Sequence, residues 1–280
     1  MLKKIRILID QYAIPAAFIV FILLEFLQLG LGRLLSLLPE TLPMSYLKES
    51  ILIIVPVALV FFFGFSRTFK RGSLLRGLLC ILPFIIWELL MLSNVLLSNL
   101  KNPEASWKPW YLIVYGVFSV IGIGIREECI YRAVIQNIVA KKHAKNVKGI
   151  WLTATVAAII FGLCHVPNLF FGMNPPAVLS QVITATFIGL LFGAVYLRSG
   201  SIWVLMLVHT LTDTVSLAKS IFLDSSDIEV ANRLSFSWSL VIFYLILLGF
   251  TAFLLRPSKC QQIRESLCFA DEESESTIRT

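Results

Sequence analysis

The chain has 280 residues, 58% of them hydrophobic and 15% charged, with a formal net charge of +7 and a mean hydropathy of +0.84. Soluble domains run nearer about 45–50% apolar and about 25% charged, so this composition excludes an ordinary soluble globule and describes a polytopic membrane protein. The basic surplus shows no interleaving with aromatics of the kind a nucleic-acid module carries, so it reads as membrane topology and contact with anionic lipid, with no nucleic-acid partner.

Apolar runs of roughly 20 residues, the length a helix needs to cross hydrocarbon, lie at about 14–32, 50–66, 77–98, 109–126, 150–166, 177–198, 201–218 and 236–255. They are continuously apolar rather than alternating, which excludes a β-barrel reading. The expectation is an all-α, polytopic membrane helix bundle of about eight transmembrane helices. The opening run is long, contains Glu25 and lacks a small-residue cleavage site, so it reads as a retained first span rather than a signal peptide. Residues 33–49, with Pro39 and Pro43, and 99–110, with Pro103, Trp107, Pro109 and Trp110, read as loops. Residues 141–149 form a basic turn containing His143. Residues 167–176, with three prolines and Phe170 and Phe171, cannot be regular helix and suggest a lip over a cavity. Gly189 and Gly193 have the spacing of closely packed membrane helices. Ser199, Gly200 and Ser201 make a tight turn, so spans six and seven read as an antiparallel hairpin. The domain division is a transmembrane domain at 1–256, with its motif-bearing core at about 110–217, and a polar, acidic, disordered tail at 257–280.

Lysine and arginine set the orientation. With the N-terminus inside, inner segments hold Lys3, Lys4, Arg6, Arg67, Lys70, Arg71, Arg76, Arg126, Arg132, Lys141, Lys142, Lys145, Lys148, Arg198, Arg256, Lys259, Arg264 and Arg279. Outer segments hold only Arg33, Lys48, Lys101, Lys108, Lys219 and Arg233. Both termini are therefore expected in the cytoplasm, with the chain a multi-pass protein of a cell membrane, the bacterial plasma membrane. Cys80, Cys129, Cys164, Cys260 and Cys268 show no C-x-x-C spacing, so neither a disulfide framework nor a thiolate metal site is indicated. Cys164, beside His165, reads as a packing residue.

Against this apolar background a few ionisable residues stand out. A charged side chain at the centre of a membrane helix costs about 2.5–3.5 kcal/mol on insertion scales, so such groups face a protein or water-filled interior and mark function. Glu127 and Glu128 sit at the end of the fourth apolar run. Glu128 and Arg132 are spaced i, i+4 with the acid first, the favourable order for a helical ion pair. Glu127 is about 100° away around the helix and is left to face a cavity, where a carboxylate suits general acid or base work. Phe161 and His165 repeat the i, i+4 spacing at the end of span five, and His209 and Asp213 on span seven. Three helices each delivering polar groups imply that the groups meet, since none is satisfied by hydrocarbon.

Three chemistries fit this set. In hydrolysis, Glu127 and His165 polarise a water while His209 and Asp213 face the developing oxyanion. In a zinc site, His165, His209 and a carboxylate supply three ligands and water the fourth, although the H-E-x-x-H pattern is absent. In transport, glutamate and histidine relay protons, but paired, glycine- or proline-interrupted spans are lacking. No serine-nucleophile motif is present.

Glu127-Glu128-x-x-x-Arg132, Phe161-x-x-x-His165 and His209-x-x-x-Asp213, in that order, resemble the three motifs of the CAAX protease and bacteriocin-processing (CPBP, or Abi) family of intramembrane endopeptidases. Ser199-Gly200-Ser201-Ile202-Trp203 resembles the stretch that precedes the third motif. The resemblance implies a glutamate-dependent, metal-independent peptidase with no cofactor. It assigns water activation to Glu127 and His165, oxyanion stabilisation to His209 and residue 213, and support to Glu128 and Arg132. It further implies a peptide or membrane-protein substrate, and the position of the three motifs at the inner ends of spans leads to the expectation of a cut near the cytoplasmic face. One departure is Asp213, where the CAAX-processing branch usually carries asparagine. A carboxylate donates a hydrogen bond only when protonated, so Asp213 is expected to orient His209 instead. The alternative reading is a non-catalytic membrane scaffold, or an immunity or signalling protein, on the same fold.

Overall fold

The computed structural model describes residues 2–224 and 237–267. All eight apolar runs are helical, and no strand occurs among the described residues, which hold only an isolated antiparallel bridge between Trp107 and Leu223. The helices are α1 (Leu2–Gln11), α2 (Ala13–Leu35), α3 (Leu42–Phe62), α4 (Leu74–Leu100), α5 (Trp110–Glu128), α6 (Asn137–His143), α7 (Val147–Leu163), α8 (Pro175–Ser199), α9 (Ile202–Ser216), α10 (Ala218–Phe222), α11 (Trp238–Leu254) and α12 (Cys260–Ser266). The protein is a helical membrane bundle. By length and composition α2, α3, α4, α8 and the stretch Val147–Phe171 are each able to cross a membrane. A sixth is added if α11 and Pro257–Ser266, bent by 51°, count as one span. The expected count of eight spans is not carried by length: α9 has 15 residues.

Local sequence sets the helix ends. Asn146 begins α7, its side-chain oxygen accepting from the Gly149 N–H at 2.9 Å. Asn174 does the same for Ala177 at 2.8 Å at the start of α8, where Pro175 and Pro176 fill first-turn positions that need no donor. Gly200 ends α8 at φ 66°, in the left-handed region, with its N–H on the Tyr196 carbonyl. The turn at 199–201 is as expected, but α9 then packs mainly against α5 and α4 rather than pairing with α8.

Two further expectations are corrected. Glu127 and Glu128 do not end their helix. The chain continues without a break through a π-helical segment, Cys129–Gln136, into α6. The helix runs on through the polar residues because the side-chain amides among them find partners inside the protein. Gln136 Nε2 donates to the Gly193 carbonyl at 2.9 Å, and Asn137 Nδ2 donates to Thr68 Oγ1 at 3.2 Å and Tyr196 Oη at 3.0 Å. At a rise of about 1.5 Å per residue, Glu127 lies some 25 Å from either end of the continuous stretch, near its middle. The region from 257, expected to be a disordered tail, carries α12, because Ile263 and Leu267 bury apolar side chains and Ser266 Oγ donates to the Leu197 carbonyl at 2.6 Å. Residues 268–280, including Cys268 and Arg279, lie outside the described residues, as does Arg233.

The segments rich in basic residues gather at one end of the bundle. Lys141 Nζ meets Asp10 Oδ2 of α1 at 3.0 Å, Arg71 reaches the Glu265 carbonyl at 3.4 Å, and Ser73 N–H donates to the Ser199 carbonyl at 2.9 Å. The N-terminal helix and α12 thus share that end. His143 closes α6 there, away from the other two histidines.

Candidate active site

The continuous helix 110–143 delivers Glu127, Glu128 and Arg132; α7 and the residues just after it deliver Phe161 and His165; α9 delivers His209 and Asp213. Glu127, Phe161, His165, His209 and Asp213 all line one cavity of about 460 Å³, within the size range of small-ligand clefts, about 300–1,000 Å³.

His209 is the centre of the arrangement. Its ring is buried and lies between the adjacent glutamates. Nδ1 sits 2.8 Å from Glu128 Oε1, while Nε2 sits 3.6 Å from Glu127 Oε2 and 3.7 Å from Asp213 Oδ2. The roughly 100° between consecutive helical side chains is what lets two neighbouring carboxylates address opposite nitrogens of one imidazole. A carboxylate only accepts, so the Glu128 contact assigns the Nδ1 proton and leaves Nε2 toward the cavity. The other Glu128 oxygen, Oε2, is 3.2 Å from Arg132 Nε, with both side chains fully buried. The Arg132 guanidinium also lies 5.0 Å from the centre of the Phe161 ring, a cation–π distance. Glu128 therefore does two things: it pairs with Arg132 and it orients His209. Asp213 does not take the orienting place expected for it. It is too far from Nε2 for a hydrogen bond, and its Oδ2 has no hydrogen-bond partner within the protein.

Phe161 is the apolar hub. Its ring packs edge-on against Tyr131, His165 and His209, with centroids 5.1, 5.6 and 5.7 Å away. Gly189 makes room for it, since a Cβ there would stand 2.8 Å from Phe161 Cδ1. The Gly189–Gly193 pair is thus the close approach its spacing suggested. His165 lies just beyond the last residue of α7. Its Nδ1 is 3.2 Å from the Phe161 carbonyl, which only accepts, so Nδ1 carries the proton and Nε2 keeps its lone pair. Cys164 Sγ rests 2.9 Å from the same carbonyl and 3.3 Å from His165 Nδ1, holding the ring from the side.

Two further carboxylates, to which the sequence motifs give no role, also have partners near the site. Glu88 of α4 is buried and accepts from Thr212 Oγ1 at 3.3 Å, one residue from Asp213. Glu25 of α2 accepts from Tyr131 Oη at 2.8 Å, one residue from Arg132. Each is a lone acid in an apolar run, which is itself a signal of function at membrane depth.

Residues 108–215, the stretch that contains every one of the three motifs, match a family model described as type II CAAX prenyl endopeptidase Rce1-like. This segment belongs to the Rce1-like family. The resemblance read from the three motifs is thereby shown. No curated protein and no solved structure matches the chain significantly. The match indicates a CAAX-protease type of function, which implies a peptide or protein substrate, and together with the apolar helices it indicates a multi-pass membrane protein. Among the described residues no group of three or more His, Cys, Asp or Glu is arranged to hold a metal ion.

Proposed function

We propose that this protein is an intramembrane endopeptidase in which Glu127 and His165 activate a water for attack on a peptide carbonyl. The observation that carries the reading is that Glu127, His165, His209 and Asp213, from three separate motifs, line a single cavity, with His209 held by Glu128 of the buried Glu128–Arg132 pair. Glu127 takes a proton from the water as its oxygen bonds to the carbonyl carbon. His165 Nε2, free because Nδ1 is engaged, positions the water by accepting its second hydrogen. The carbonyl oxygen becomes an oxyanion and is met by His209 Nε2, which donates when the ring carries both protons. Glu128 at Nδ1 supplies the balancing negative charge. Glu127 then returns its proton to the departing nitrogen, the C–N bond breaks, and a carboxyl and an amine are released. Asp213, with its oxygen unsatisfied by the protein, is placed to receive a donor from the substrate backbone. The cellular setting we propose is a bacterial plasma membrane, and the substrate a peptide or a membrane-protein segment, as in bacteriocin processing.

The test is cleavage of a peptide library by purified protein. Glu127→Gln and His165→Ala should each lower the rate by about 10²–10⁴-fold, the share general acid–base groups contribute, while remaining folded. Both variants cleaving like the parent would sink the mechanism. Unchanged cellular function with Glu127→Gln would favour the scaffold reading, and near-stoichiometric zinc lost together with activity on chelation would replace the metal-free one.

A further inference from the structure

The cavity is open at one end and sealed at the other. Its deep wall is Glu127, Phe161 and His209, and its remaining lining includes Asn168, Gln181, Ser216, Leu217 and Leu240. These five sit where α7 and α9 finish and where α8 and α11 begin, at the end opposite the basic segments. Exposure follows the same direction. Glu128 is fully buried, Glu127 and Asp213 are about one-fifth exposed at 19% and 20%, and Ser216 is exposed.

Toward the basic end there is no way through. Residues 128–140 are buried without interruption, and so are residues 191–202. The Gln136–Gly193 and Asn137–Thr68–Tyr196 hydrogen bonds lie across this plug. Below it, Gly72 abuts Gly200, with Ser266 against Gly200 from the other side.

The open end also has the marks of a membrane interface. Trp110 and Trp238 are 76% and 80% exposed there, and Phe170, 85% exposed, stands on the short turn of 3-10 helix that contains Asn168. Exposed tryptophan at a helix end is the usual anchor at headgroup level.

Lysine and arginine in short loops mark the cytoplasmic side. The basic end, with Arg67, Lys70, Arg71, Lys141, Lys142, Lys145, Lys148, Arg256, Lys259 and Arg264, is then cytoplasmic. We infer that the cavity is entered from the extracytoplasmic face, so that the substrate is an exported peptide, or a membrane-protein segment emerging on that side, with apolar residues to lie against Phe170 and Phe171. This replaces the expectation of a cut near the cytoplasmic face. It rests on the hydrolase reading only for what happens inside the cavity, not for which side the cavity faces.

The experiment has two arms. Ser216→Cys and Lys145→Cys are expressed in cells and treated with a membrane-impermeant maleimide, before and after permeabilisation, against the parent's own cysteines as background. Ser216→Cys should gain labelling in intact cells and Lys145→Cys only after permeabilisation; the reverse pattern would overturn the inference. In the second arm, one library-selected peptide is tethered to a membrane anchor on either side. Loss of the outer tether alone supports the inference, and loss of the inner tether alone overturns it. If neither tether is cut while the labelling pattern holds, the hydrolase reading fails and the outward mouth stands.

Discussion

The first three long helices are about as apolar as the stretch Val147–Phe171 and α8, yet they live in different surroundings. In α2, α3 and α4 only 17%, 11% and 17% of the most apolar window is buried, against 56% for Val147–Phe171 and 50% for α8. Hydrophobicity places both groups in the membrane; packing decides which of them forms the interior. In lipid, a leucine has nothing to gain by turning inward, so the inward faces are chosen by small and polar residues. The motif-bearing half supplies Gly189, Gly193, Gln136, Asn137, Glu128 and Arg132. The outer half supplies single acids, such as Glu25 and Glu88, that each reach one partner.

This contrast can be broken most forcefully at its centre. Arg132→Met would leave the buried Glu128 with His209 alone, and removing one member of a buried pair costs about 3–5 kcal/mol. A large drop in the melting temperature of purified protein is expected, and an unchanged one would mean that the pair is not structural. Glu127→Gln tests the other glutamate. It should remove the activity with little change in melting temperature, because that side chain is partly exposed and its neighbour holds the fold. Gly189→Leu should cost about 1–3 kcal/mol by overpacking, since the added side chain meets Phe161, and the same assay reads it. The smallest effect belongs to the ties from the outer helices. Tyr131→Phe deletes the hydrogen bond to Glu25 and should cost about 0.5–1.5 kcal/mol; a loss as large as that of Arg132→Met would erase the distinction between core and periphery.

Much of this was legible in the chain. Every apolar run became a helix because continuous hydrophobicity has no other stable form in lipid. Apart from Glu127, the site residues were legible as i, i+4 pairs, since that spacing puts two side chains on one face wherever the helix is placed. What escaped were contacts across long separations. Glu25 meets Tyr131 across 106 residues and Glu88 meets Thr212 across 124, and neither acid has a spaced companion on its own helix. Helix ends were misplaced where polar residues were satisfied by the fold. Leu42–Phe62 begins eight residues before its apolar run because Pro43 fits a first turn and Glu49 accepts from Ser119 Oγ at 3.3 Å. Asp213 was expected to orient His209 because spacing along α9 gives no hint that Glu128 reaches the ring more closely.

The π-helical stretch from Cys129 to Gln136 makes residue number, more than residue identity, the quantity this region must conserve. A wider turn works like a vernier between two rulers: it sets the phase of everything after it relative to Glu127 and Glu128. Deleting Ala133 alone would turn the following residues by about 100°, swinging Gln136 away from Gly193 and Asn137 away from Tyr196. Substituting the same buried alanine with glycine would leave the phase intact. Single-residue deletions across 129–136 should therefore abolish folded protein, as read by a fluorescent folding reporter, at positions where small substitutions are accepted.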